Sequence, residues 1–454
     1  MFIDRQKELI TLQEFWDSDS AELCIVYGRR GIGKTTLLYE FSRDKKTVFL
    51  VIPEGEWKTI SQSIVKQLGE KEFVKFDSFE YFLEYVLSKS SQKTLVVLDE
   101  FQRISAALPG ATSILQYFWD LKFSKSKIKL VLSGSSIGMM KKETIFYGAP
   151  LYGRSSKIIH LKPFDYLNFR EFFQKHGITD EHKILMFYSI FGGTPSHLKF
   201  IHPQHSLEEN LKKILTPEHY LVHEPIYILA QETRAVNRYL AILLAIANGK
   251  QTPNDIANSV GIKTTTLPPY LKTLEELDFI QQKMPYGALR NKTKLSRYVI
   301  SDPYIIFWSK YIYQYMHLIE SNRCADLVKI ILNDLSNHIG PIFEETTRSI
   351  IFTIDLFKDV SNFGHYWDRR GNEIDVVVET KDTLWLGEIK YGQISKEDVA
   401  KLIGKINLID AQKKKIALFF VTGRKMEKDY VYFGNYSVKI FSFDDLIQLA
   451  KTVS

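Results

Sequence analysis

Cysteine is nearly absent from this chain: only Cys24 and Cys324 occur in 454 residues. They form no Cys-x-x-Cys pair, which removes the sequence basis for a zinc site or a disulfide framework and suits a reducing compartment. Long apolar runs are missing as well. Stretches such as Tyr239–Ala247 fall short of the roughly 20 residues that a membrane-spanning helix needs. The opening MFIDRQKELITL is too charged for a secretory signal. The expectation is a cytoplasmic protein with no membrane partner. Neither an internal repeat nor a low-complexity linker interrupts the sequence, so closely packed domains are expected.

What remains is ordinary globular material. A composition of 45% hydrophobic and 25% charged residues excludes extensive disorder. The length exceeds what one hydrophobic core organises, so three or four domains are expected. A net charge of +7 permits a nucleic-acid partner without requiring one.

From Leu23 to about Leu161, short apolar runs alternate with helical patterns. LCIVYG, TVFLVI, TLVVLDE, IKLVLSG and KIIHL are rich in Val, Ile and Leu, as strands buried on both faces should be. Such alternation predicts a parallel sheet wrapped by helices. The first of these runs leads into Gly28-Arg29-Arg30-Gly31-Ile32-Gly33-Lys34-Thr35, followed by Thr36, a full G-x-x-x-x-G-K-[ST] match between a strand and a helix. The chemistry needs each part. Glycines let backbone N–H groups curl around phosphates, and the helix N-terminus adds positive potential. Lys34 reaches the β/γ-phosphates, and Thr35 offers a hydroxyl to Mg²⁺. TLVVLDEF places Asp99 at the carboxyl end of a buried strand, where it can hold Mg²⁺, and Glu100 next to it as general base for an attacking water. After IKLVLSGSS, Ser133 or Ser135 could sense the γ-phosphate, although serine after a strand is also common turn chemistry. ATP and Mg²⁺ are the expected cofactors.

FIDRQKEL, GRRGIGKTT, VVLDEFQ, VLSGSS, PLYGR and GGTPSHL occur in that order, and together they resemble the archaeal-type ATPases of the AAA+/STAND class. The resemblance covers roughly the first half. It implies that Arg5 helps close the base pocket and that Gly193-Thr194-Pro195 lies in a lid reporting nucleotide state. It also implies that Arg154 stabilises the transferring phosphate, in cis or from a neighbouring copy; a salt-bridged arginine is the alternative. No lid arginine of the usual AAA+ kind is evident, which argues against a ring-forming motor.

Thr252–Ile280 reads as helix, tight turn at Gly261, and second helix, with Ile256, Ala257, Val260, Leu271, Leu274 and Leu277 as the apolar face. Pro268 and Pro269 fit only a first turn, so Thr265 or Thr266 is expected to cap the second helix. This resembles a winged helix-turn-helix. The segment after it holds Lys283, Arg290, Lys292, Lys294 and Arg297 with no acidic residue. Such a basic wing suits DNA phosphates, but the second helix offers no Arg or Asn for base readout. Internal packing is the competing role.

In NEIDVVVETKDTLWLGEIK, Ile374, Val376 and Val378 alternate with Asp375 and Glu379, and Glu388 and Lys390 share one face of a second strand. If the two strands pair as a hairpin, Asp375 can converge on that face. Two carboxylates and a lysine there would hold a divalent metal and orient a water for phosphodiester attack. Upstream, GPIFEETTRSIIF reads as a helix with Phe343, Thr347 and Ile350 on its apolar face and Glu344 or Glu345 available. This order resembles the restriction-endonuclease-like fold. The resemblance implies that Glu344 supports the site, Asp375 and Glu388 bind metal, and Lys390 is catalytic. Exposed charges on an ordinary sheet, or a nuclease fold kept only for binding, are the alternatives.

The expected fold is therefore α/β: a P-loop parallel sheet (about 1–162), a helical lid (about 163–231), a winged helix-turn-helix with an aromatic helix (about 232–325), and a restriction-endonuclease-like domain (about 326–454). The expected function is ATP binding and hydrolysis with nucleotide-gated action on nucleic acid, DNA being the favoured substrate, and Mg²⁺-dependent cleavage by the last domain. The rival is a non-nucleolytic ATP-gated switch that binds DNA or a protein partner, with a homo-oligomer open in either case.

Overall fold

The structure is a computed structural model that describes residues 3, 5–71, 74–288, 295–354, 356–411, 414–423, 430–433 and 436–453. It separates into two compact units. The first comprises Met1–Pro163, Thr194–Ser196 and Ile226–Val236; the second comprises Phe164–Gly193, His197–Pro225 and Asn237–Ser454. Among the described residues, no helix is long and apolar enough to cross a membrane.

The first unit is built on five strands: β1 (Glu22–Tyr27), β2 (Thr47–Val51), β3 (Thr94–Asp99), β4 (Ile128–Gly134) and β5 (Ser155–His160). They are the five apolar runs of the sequence. All pair in parallel, in the order β2-β3-β4-β1-β5. Every residue of β3 and β4 is buried, as central strands covered on both faces must be. Cys24, Val26, Leu95, Val97 and Val131 pack with Leu37, Leu38 and Phe41 of the helix after β1. Each such burial contributes about 2 kcal/mol. This core holds the carboxyl ends of β1, β3 and β4 side by side, which is where an open α/β sheet binds its ligands.

The second unit contains the helical residues after Pro163, among them Tyr166–Lys175 and Glu181–Phe191. Then come helix Pro253–Val260, Gly261 with φ of 68°, and helix Pro268–Glu276. The two prolines do occupy the first turn, but neither Thr265 nor Thr266 caps the helix. A tight turn, Thr264–Thr266, runs straight into it, and Thr266 Oγ1 donates back to Lys263 O at 2.8 Å. Leu267 stands at the cap in helical conformation with no side-chain bond. An antiparallel pair follows, β6 (Ile280–Lys283) with β7 (Arg297–Ile300). Arg290, Lys292 and Lys294 lie outside the described residues. The described cations of this segment are engaged internally: Lys283 with Glu345, and Arg297 with Glu373 at 2.9 Å and over the Trp367 ring.

A six-stranded mixed sheet closes this unit: β8 (Val360–Trp367), β9 (Glu373–Thr380), β10 (Thr383–Lys390), β11 (Lys415–Thr422), β12 (Tyr430–Phe433) and β13 (Tyr436–Ser442), in the order β12-β13-β11-β10-β9-β8. β9 and β10 form the expected hairpin, with Val376 opposite Gly387 and Val378 opposite Trp385. β11 runs parallel to β10. Helix Leu335–Thr353 buries Phe343, Thr347 and Ile350, the face read from the sequence. Helix Lys396–Gly404 begins with a capping box of Ser395 and Asp398.

Candidate functional sites

In the first unit the phosphate loop is shaped by backbone that only glycine permits. A Cβ on Gly28 would lie 2.4 Å from Leu161 O. One on Gly31, where φ is 80°, would lie 2.4 Å from Ser196 Oγ. Ile32 anchors the loop in the core, and helix Lys34–Ser42 starts at Gly33. The buried Lys34 folds its ammonium onto the loop, donating to Gly28 O at 2.7 Å and Arg29 O at 3.1 Å. Burial lowers its pKa, and the charges of Glu100, Asp99 and Glu232 offset this only in part. Thr35 Oγ1 donates to Asp99 Oδ2 at 2.5 Å, so the two expected Mg²⁺ ligands meet. Thr36 is exposed on the same turn.

Glu100 has φ of 59°, the left-handed region that non-glycine residues avoid unless their surroundings hold them there. Its Oε2 accepts from Ser135 Oγ at 2.6 Å and Gln102 Nε2 at 2.5 Å. Burial alone would raise this carboxyl, but the Ser135 and Gln102 hydrogen bonds and the Lys34 charge outweigh it and hold it below its ordinary value. The structure thus distinguishes the two serines. Ser135 grips Glu100, whereas Ser133 is fully buried within β4 and its hydroxyl has no partner among the described residues.

A cavity of about 740 Å³ opens here, lined in part by Arg30, Thr35, Asp99, Glu100, Ser135 and Glu232. Arg5, itself left-handed at φ 78°, donates to Ile32 O at 3.1 Å and Lys162 O at 2.9 Å, tying the loop to the end of β5. Arg29 donates to Thr194 Oγ1 at 2.7 Å, and Ser196 N donates to Gly31 O at 3.1 Å. The half-buried Pro195 stands between these two contacts. The Thr194–Ser196 segment therefore touches the phosphate loop directly. Arg154 is not brought to this cavity. It makes a two-pronged ion pair with Asp120, 2.8 Å on each arm, and this raises its pKa.

In the second unit, Glu344 and Glu388 each lie close enough to Asp375 to feel its charge. Asp375 Oδ2 accepts from Ile389 N at 2.8 Å, and its carboxyl lies within hydrogen-bonding reach of Glu388. Burial and then the Asp375 charge push Glu344 up to about 7 and raise Glu388 as well. Glu345, the alternative on the same helix, is instead paired with Lys283 and with Arg348 at 2.7 Å. Lys390 does not reach the carboxylates; its ammonium pairs with Asp398 of the capping box. Lys405 takes that place, donating to Glu388 Oε1 at 2.6 Å, and Arg348 Nη2 stands 4.0 Å from Asp375 Oδ1. Neither was singled out from the sequence. A lysine just past a helix that follows an acidic strand was the available signal. Among the described residues, no group of three or more His, Cys, Asp or Glu side chains is set to hold a metal ion. Asp375 and Glu388, two carboxyls that share space only if one keeps its proton, nevertheless have the charge chemistry that a divalent cation relieves.

The comparisons with known proteins agree with the first unit's geometry. Residues 2–201 match the model of an ATPase domain predominantly from Archaea. The chain therefore carries an ATP-binding P-loop ATPase domain. Residues 308–402 match a family described as archaeal and bacterial proteins of unknown function. An uncharacterised protein of Methanocaldococcus jannaschii is 29% identical over 412 residues, 88% of this chain and 90% of that one. An uncharacterised ATP-binding protein of Pyrococcus abyssi is 26% identical over 229 residues, 44% of this chain and 68% of that one. A Walker-type ATPase of Pyrococcus abyssi shares the fold, with a TM-score of 0.52 at 20% identity, over 68% of this chain and 96% of its own.

Proposed function

We propose that this protein hydrolyses ATP at the P-loop and uses the nucleotide state to govern Mg²⁺-dependent cleavage of nucleic acid, chiefly DNA, by the C-terminal domain. The four-part division (about 1–162, 163–231, 232–325 and 326–454) is retained, with the middle part as a winged helix and the last as a restriction-endonuclease-like domain. In the P-loop, Lys34 holds the β/γ-phosphates, Thr35 and Asp99 are the groups for Mg²⁺, and Glu100 accepts a proton from the attacking water. Arg5 and the backbone of Gly28 to Gly33 shape the nucleotide pocket. In the C-terminal domain, Asp375 and Glu388 would hold a divalent cation, which supplies Lewis acidity and an activated water. Glu344 accepts or holds a proton beside them, and Lys405 or Lys390 supplies positive charge.

The observation that carries the nuclease reading is the placing of Glu344 and of Glu388 beside Asp375, with Glu344 pushed to about 7. One observation favours the rival, a non-nucleolytic switch acting on DNA or a protein partner. Lys283 and Arg297, two of the five wing cations expected to meet phosphates, and Lys390, expected to be catalytic, are paired within the chain. Plasmid and single-stranded DNA incubated with the full chain, Mn²⁺ or Mg²⁺, with and without ATP, separates the two readings. Cleavage lost in Asp375→Asn, with ATP hydrolysis retained, is the expected result. Lys34→Ala should weaken Mg-ATP binding by at least about 100-fold, since it removes a charge-assisted phosphate contact. DNA left intact in all conditions would leave the switch reading in place.

A further inference from the structure

The nucleotide cavity contains an acidic side chain that the proposed chemistry does not use. Glu232 ends helix Tyr220–Glu232 and lies in Ile226–Val236, a segment of the first unit flanked on both sides by chain of the second. Its carboxylate rests on the loop after β4. Oε1 accepts from Ile137 N at 3.3 Å, and Oε2 accepts from Ser136 Oγ at 3.3 Å and Gly138 N at 3.4 Å. All three are longer than the usual range, so the carboxylate is loosely held.

Its position follows from the sheet. β4 stands between β3 and β1, so the loop after β4 opens between Asp99 and the phosphate loop. The terminal phosphate of a nucleotide held by Lys34 and Thr35 would project toward this place. Glu232 lines the same cavity as Thr35, Asp99 and Glu100, and Lys34 feels its charge. Burial raises its pKa despite the bonds from Gly138, Ser136 and Ile137, as expected of an anion that its surroundings only partly satisfy.

We propose that Glu232 is a specificity-determining residue of the nucleotide site: the chain's own carboxylate at the terminal-phosphate end, which favours a nucleoside diphosphate and must be displaced by a triphosphate. The inference rests on nucleotide binding at the P-loop. A diphosphate stops short of the carboxylate, whereas the third phosphate brings further negative charge into the same partly desolvated space, where like charges repel strongly. Displacing Glu232 breaks the three long hydrogen bonds it makes among the described residues and frees the Ser136, Ile137 and Gly138 donors for phosphate oxygens. The triphosphate would thereby move the segment that carries Glu232.

The test uses the full chain and calorimetric titration with Mg-ADP and a non-hydrolysable Mg-ATP analogue. The parent should bind the diphosphate more tightly. Glu232→Gln should tighten the triphosphate analogue about tenfold and leave ADP within about twofold, the scale of one removed like-charge contact. Glu232→Ala should act in the same direction, so that the new amide's hydrogen bonds are not the cause. Hydrogen exchange across residues 226–236 should be faster with the triphosphate than with ADP in the parent, and this difference should vanish in both variants. An unchanged affinity ratio in both variants overturns the inference while ADP binding by the parent upholds the P-loop reading. Weaker triphosphate binding in the variants overturns it in the other sense, making Glu232 a favourable ligand. A parent that binds neither nucleotide overturns both.

Discussion

Glu100 and Glu388 are both half-buried glutamates at or next to a strand, and in both burial pushes the carboxyl upward. They nevertheless end on opposite sides of the ordinary value. Glu100 receives hydrogen bonds from Ser135 and Gln102 and feels the charge of Lys34, so it is held low and ionised. Among the described residues Glu388 has one good donor, Lys405, against the neighbouring charge of Asp375, and it is raised. Burial sets the size of the electrostatic stakes, and the local balance of donors and like charges sets the sign. The first unit thus holds its carboxylate in the ionised form. The second raises two carboxyls, Glu344 and Glu388, beside the charge of Asp375.

The sharpest way to break this contrast is Glu100→Gln. Turnover of ATP should fall roughly 10²–10⁴-fold, the scale of a lost general base, while Mg-ATP affinity stays within a few-fold. Steady-state hydrolysis and calorimetric binding on the same preparation check it; unchanged turnover would remove Glu100 from the proton-accepting role.

A smaller effect is expected from the two lysines of the C-terminal site. On the proposed nuclease reading, Lys405→Ala should slow cleavage about tenfold more than Lys390→Ala, because it strips from Glu388 the charge-assisted donor it has among the described residues and leaves the acidic cluster less compensated. Mn²⁺ titration alongside the cleavage assay distinguishes lost catalysis from lost metal affinity. If Lys390→Ala proves the more damaging, the catalytic role proposed for Lys390 requires that it leave Asp398.

The smallest effect is on stability against pH. Glu344 titrates near 7 in the folded chain against an ordinary 4.5, so between those values the native state binds more protons than the unfolded one. Its contribution is fully present below about 4.5 and is lost as pH rises through about 7. Melting temperatures measured with a chelator from pH 5 to 8 should therefore decline less steeply in Glu344→Gln than in the parent. Identical slopes would mean that Glu344 is not raised.

Legibility divided along the same line. The five strands of the first unit were readable because a central parallel strand, buried on both faces, must be a short continuous run of Val, Ile and Leu. TLVVLDE and IKLVLSG are such runs, bounded by polar residues and glycine. The phosphate loop was readable because its backbone path tolerates little but glycine at Gly28 and Gly31. In the C-terminal domain, alternation in β9 and β10 announced a hairpin and so the approach of Asp375 to Glu388. The cap of helix Pro268–Glu276 was misread because a local signal, threonine before proline, competed with a turn that entered the helix without a break.

The ownership of each ammonium group was not readable. Lys390 lies two residues from Glu388 in sequence yet pairs with Asp398, because the capping box fixes that carboxylate within reach. Lys405 comes back to Glu388 from beyond the next helix. Arg154 was read as a candidate for the nucleotide site and is engaged by Asp120. Glu232, far from any phosphate-binding signature in sequence, enters the cavity through a detour of the chain.

The sequence by itself determined the class of the first unit and the identity of its phosphate-binding loop, since both depend on local backbone geometry and on apolar periodicity along a few consecutive residues. Only the tertiary structure decided which charges meet. A long side chain can reach any of several partners, and its choice depends on which carboxylate the fold has already desolvated and held in place.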